Sequence, residues 1–171
     1  MNVFDFAMRM EVDGKAYYEK LARETPLPGL RTIFTRLAED EQKHYETFKT
    51  LKGGGKAPAM PATTILADVK NVFEDLSGEQ SALQGAKGDL EAYLHAMKLE
   101  EDSFRLYEDA AARETEKDVK ALLLQIAGEE HKHFDVLGNI YHFVNAPNQY
   151  LAWREFSNLD EFRQFGRDVD A

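Results

Sequence analysis

The chain has no cysteine among its 171 residues. That absence excludes disulfides, thiolate metal sites, iron–sulfur clusters and cysteine nucleophiles together. It also fits a reducing compartment. Basic residues are scarce: 21 Lys and Arg stand against 31 Asp and Glu, for a formal charge of −10. Nucleic acids and anionic membrane surfaces both select basic patches, so neither is expected as a partner. Long apolar runs are missing as well. Stretches such as Ala121–Leu124 fall far short of the roughly 20 residues that span a bilayer. The opening residues, Met1 to Phe6, lack the basic stretch and apolar core of a secretion signal. A soluble, cytoplasmic protein is expected.

What is present is helical pattern. An apolar share of 43% and a charged share of 30% suit a globular core. Amphipathic segments are predicted over 3–24, 30–51, 89–113 and 116–144, with a shorter one over 65–76. Pro26, Pro28 and Gly29 stop the first, Gly53 to Gly55 stop the second, and Pro147 follows the last. Asp89 is placed to cap the third long helix. Four helices of about 33 to 44 Å, at 1.5 Å per residue, predict an all-α four-helix bundle. The two short turns make two hairpins, and residues 52–88 form the long crossover between them. The bundle is assigned to 1–146. The remainder, 147–171, carries Tyr150, Trp153, Phe156, Leu159, Phe162 and Phe165. So much aromatic surface is expected to pack on the bundle or on a second subunit, and a homodimer is expected.

The chain repeats itself. Ala7-Met8-Arg9-Met10-Glu11-Val12-Asp13 lies over Ala96-Met97-Lys98-Leu99-Glu100-Glu101-Asp102, at an offset of 89. Tyr18-Glu19 meets Tyr107-Glu108, and Asp40-Glu41-Gln42-Lys43-His44 meets Glu129-Glu130-His131-Lys132-His133 at the same offset. At 100° per residue the inward stripe of each helix is apolar except for one glutamate, joined on the second and fourth helices by one histidine. Glu11 and Glu41 are 30 residues apart, as are Glu100 and Glu130. In antiparallel hairpins that spacing puts all four at one height. Four glutamates, His44 and His133 would therefore meet in mid-bundle, a costly arrangement without a cation.

A single Glu-x-x-His in a Glu-rich helix is a weak sign, because it also describes a surface pair. Two of them on inward faces, with matched glutamates at one offset, match the ligand set of carboxylate-bridged di-metal bundles. On these residues, with Tyr18 and Tyr107 seven positions after the first and third glutamates, residues 3–144 resemble the ferritin-like superfamily and most closely its rubrerythrin-type group. The resemblance implies a ferritin-like bundle with two iron ions, the ligand chemistry also suiting manganese or zinc. Glu41 and Glu130 would bridge the metals, Glu11 and Glu100 would be terminal, and His44 and His133 would supply one nitrogen each. Tyr18 and Tyr107 are the candidate catalytic tyrosines, expected to hydrogen-bond carboxylates beside the metals, the alternative being radical sites. By the same resemblance Asp40 would bond His133, and Glu129 would bond His44.

The implied activity is reduction of peroxide or O₂ with Fe(II). The alternatives are iron capture, oxidation or storage without steady turnover, and a metal-free structural or interaction module. Two features depart from the group. Rubrerythrins typically carry a further glutamate three residues after the third-helix glutamate, used in a redox-linked ligand exchange. Here that position is Ser103. Many also carry a cysteine-ligated rubredoxin domain, which this cysteine-free sequence does not supply. Electrons would then come from an external donor such as a rubredoxin-type protein.

Overall fold

A computed structural model describes residues 2–76 and 89–145. The aromatic segment predicted over 147–171 and part of the crossover, 77–88, lie outside the described residues. Among those described, all regular structure is helical: α1 is Val3–Glu24, α2 Pro28–Lys52, α3 Ile65–Leu76, α4 Leu90–Arg113 and α5 Lys117–Asn145. None of these helices is long and apolar enough to cross a membrane.

Local chemistry sets the boundaries. The Asn2 side chain accepts from the Phe4 amide at 3.1 Å and caps α1. Chain direction then changes at Thr25–Pro26, where Arg31 clamps the turn by donating to the carbonyls of Ala22 (3.1 Å) and Thr25 (3.3 Å). α2 starts at Pro28 rather than at Leu30. Proline at the first helical position loses nothing, because that amide has no intrahelical partner and its φ is already helical. The helix ends at a glycine run in which Gly54 takes φ +75°, open to glycine at little cost. Asp89 does precede α4, but its side chain makes no capping hydrogen bond. The α4–α5 turn is held instead by Glu114, whose carboxylate accepts from the amides of Thr115 and Glu116 at 2.7 and 2.9 Å.

α1 packs along α2, and α4 along α5, as two hairpins that face each other. The core divides into two apolar plugs. One joins Leu21, Leu27, Leu30 and Phe34 of the first hairpin to Tyr93, Leu137, Ile140 and Phe143 of the second. The other joins Ala7, Phe48 and Leu51 to Tyr107, Leu122, Leu123 and Ile126. Between them lies a polar band. α3 packs across α2 and α5, burying Ile65, Val69 and Phe73 in the first plug. Among the described crossover residues, α3 thus covers one side of the first plug, and Thr63 just before it reaches the polar band.

Candidate metal centre

The structure brings all six predicted residues together. Carboxylate or imidazole atoms of Glu11, Glu41, His44 and Glu130 lie within 4.8 Å of one another, and so do those of Glu41, Glu100, Glu130 and His133. Glu41 and Glu130 belong to both groups. None of the six is more than 4% exposed. The groups come from one helix each of α1 and α4 and from the Glu-x-x-His turns of α2 and α5, so the repeat in sequence becomes an approximate two-fold arrangement in space.

The histidines are tied from outside. Nε2 of His44 meets a Glu129 carboxylate oxygen at 2.9 Å, and Nε2 of His133 meets Asp40 at 3.1 Å. A carboxylate can only accept, so each Nε2 carries the proton. Each Nδ1 then points inward. His44 Nδ1 lies 3.4 Å from Glu11 and 3.2 Å from Glu130. His133 Nδ1 lies 3.0 Å from Glu41, 3.0 Å from Glu130 and 3.6 Å from Glu100. These are ion-pair distances without hydrogen-bond alignment: both Nδ1 atoms, one oxygen each of Glu11 and Glu41, and both oxygens of Glu130 have no hydrogen-bond partner. Buried polar atoms rarely stay orphaned. Six of them converging on one small volume fit a bound cation, and a nitrogen-plus-carboxylate set fits iron, manganese or zinc.

The tyrosines cross between hairpins. Tyr18 donates its hydroxyl to Glu100, and Tyr107 donates to Glu11. Burial, reinforced by the neighbouring glutamate charges, pushes both phenols well above the ordinary tyrosine range. They remain protonated donors that orient the two carboxylates.

Thr63 was not legible in the sequence. Its amide donates to Glu129 at 2.9 Å and its hydroxyl donates to Asp40. One crossover residue thus fastens both acids that hold the histidines. Lys43 adds an ion pair to Asp40 at 2.5 Å. The remaining histidines stand apart: His95 is exposed, His131 pairs with Glu108 at 2.8 Å, and His142 lies on the last turn of α5.

Without metal the cluster holds protons. Burial, then repulsion from Glu130 and the other carboxylates, pushes Glu41 well above the carboxylate range. Burial and Glu130 raise Glu100 to about 8. Burial disfavours charge on the histidines, but the surrounding carboxylates outweigh it and raise both His44 and His133 well above their usual value. Burial would also raise Glu130, yet the two facing imidazoles hold it well below. The raised groups all act in one direction: the folded state keeps protons that the unfolded chain has lost. Apoprotein stability is therefore expected to fall as pH rises from about 5 to beyond 8. Carboxylates with lowered values (Asp40, Glu129, Glu130) lose their contribution at more acid pH. Thermal unfolding of the apoprotein should show maximal stability in mildly acidic buffer. A rise in melting temperature between pH 6 and pH 8 would contradict this.

Two helical hairpins around a buried carboxylate–histidine cluster define a ferritin-like bundle. The family model for Rubrerythrin matches residues 2–141, and the chain belongs to that family. No curated protein and no solved structure matches it.

Proposed function

We propose that the chain is a di-iron carboxylate oxidoreductase of rubrerythrin type, which reduces peroxide or O₂ with Fe(II) and draws electrons from an external donor. One observation carries this reading: two overlapping ligand groups share Glu41 and Glu130, and each holds one histidine whose outer nitrogen is tied and whose inner nitrogen is unpartnered. Glu11 and His44 would serve one metal, and Glu100 and His133 the other, with Glu41 and Glu130 between them. When bound, an iron pair supplies two electrons, the number that converts one peroxide to two waters.

The protein's own groups do the rest. Asp40 and Glu129 hold the Nε2 proton on the outer side, so that Nδ1 faces inward and would present its lone pair once its proton is lost on metal binding. Tyr18 and Tyr107 hold Glu100 and Glu11 in place and keep a proton beside each carboxylate. The apolar plugs exclude bulk water from both ends. Because the cluster holds protons when metal-free, metal binding is expected to release them. Calorimetric titration in buffers of different ionisation enthalpy should show at least one proton released per metal. A buffer-independent heat would contradict the protonation scheme.

Asp40→Ala should lower metal affinity about 10–100-fold, the usual effect of losing a ligand's orienting partner. Competition against a chromophoric chelator measures it, with helicity as a folding control. Unchanged affinity would remove Asp40 from the site. Stopped-flow oxidation of the Fe(II)-loaded protein tests the activity. Rapid turnover repeated with a reduced rubredoxin-type donor supports the enzyme. A single slow oxidation with ferric iron retained supports iron capture instead.

A further inference from the structure

A cavity of about 80 Å³ lies between α1 and α4 and reaches the polar band. Its inner end is lined by Glu41 and Glu100, and its walls include Met10, Gly14, Leu99 and Ser103. Glu41 is buried; its unpartnered Oε1 faces His133 Nδ1 at 3.0 Å, and its Oε2 is the oxygen nearest Gly14 on the cavity wall.

The repeat explains why a space exists there. Gly14 and Ser103 are equivalent at the 89-residue offset, and so are Met10 and Leu99. Gly14 follows Glu11 by three residues and Ser103 follows Glu100 by three, so each small residue lies on the face of a cluster glutamate, about one turn along. Both hairpins are thus pared back at the same point. Gly14 is also a close approach: a Cβ there would stand 3.1 Å from a Glu41 carboxylate oxygen.

We infer that this cavity is the access path and resting site for the oxidant, and that Ser103 and Met10 set its size limit. The inference rests on the metal reading above. The occupant is a neutral molecule of two heavy atoms, O₂ or hydrogen peroxide. A dry cavity of about 150 Å³ admits benzene, so about half that volume excludes an aromatic hydroperoxide. Apolar walls at Met10, Leu99 and Ala96, with carboxylates at the inner end and Asp13 also on the lining, disfavour anions.

The test uses the full chain loaded with Fe(II), with nitric oxide as a neutral diatomic probe. Ser103→Leu narrows the cavity, and Met10→Ala widens it from the opposite helix. Metal stoichiometry is measured first in each variant. Ser103→Leu should keep two metals per chain and slow nitric oxide association by about tenfold or more. Oxidation by hydrogen peroxide should slow in parallel. Met10→Ala should raise the oxidation rate with cumene hydroperoxide relative to hydrogen peroxide. Normal metal content with unchanged nitric oxide association in Ser103→Leu, and no gain in Met10→Ala, overturns the inference alone. Slowed metal uptake with unchanged nitric oxide association would assign the cavity to metal access and also overturn it. A wild-type chain that takes no metal overturns the metal reading and this inference with it.

Discussion

Replacing Glu130 by Ala is expected to abolish stoichiometric binding of both metals, whereas replacing Glu11 or Glu100 should weaken one far more than the other. The asymmetry follows from membership: Glu130 and Glu41 belong to both ligand groups, Glu11 and Glu100 to one each. Glu130 also stands 3.2 Å from His44 and 3.0 Å from His133. Its loss should exceed the roughly 10–100-fold cost of removing a residue that only orients a ligand. Titration of each apoprotein with Co(II), followed by its visible absorption, separates the cases. Glu130→Ala should show no saturable band at micromolar protein, and Glu11→Ala should saturate near one metal. Two tightly held metals in Glu130→Ala would remove that residue from the centre. Glu130→Gln serves as a conservative partner should the alanine variant fold poorly.

The second large effect is on stability. Metal that binds only the folded chain adds about 4.1 kcal/mol per site when free metal is a thousand times Kd. Two such sites add about 8 kcal/mol, and a chain of this size shifts by about 2–4 °C per kcal/mol. The melting temperature should therefore rise by about 15–30 °C on loading and return on chelation. The gain should be larger at pH 8 than at pH 6, because the metal-free cluster is less stable there. A rise of a degree or two would mean that the buried charges are already compensated without a cation.

Much of this site was legible because the chain is a repeat. Antiparallel hairpins turn equal spacing from a turn into equal height, so Glu11, Glu41, Glu100 and Glu130 fall at one level from their numbers alone. The 100° step per residue then places His44 and His133 beside them. The outer acids Asp40 and Glu129 come from the family resemblance, since no helical period singles out the residue before each cluster glutamate. The structure shows both bonds to histidine.

Other parts left no periodic trace. Thr63 lies in an irregular stretch, where no helical period ranks one residue above the next. Its importance exists only once the crossover lies across α2 and α5. Gly14 in a helix reads simply as a weak helix former, until the approach of Glu41 gives it a reason. The inward stripes also omitted Asp135 and Asn139, which are buried on α5. The short helix over 65–76 is legible in the sequence but its docking place is not: α3 covers part of the α5 face outside the inward stripe, with Phe73 and Phe143 edge to face at 5.1 Å.

The most direct test is the metal content of the chain. Apoprotein prepared with a strong chelator is titrated anaerobically with Fe(II), and bound iron is measured after desalting. Two irons per chain are expected, with manganese and zinc competing for the same two positions. A chain that stays metal-free under these conditions, or that binds iron equally well after Glu41 and Glu130 are both replaced, would contradict the di-metal centre.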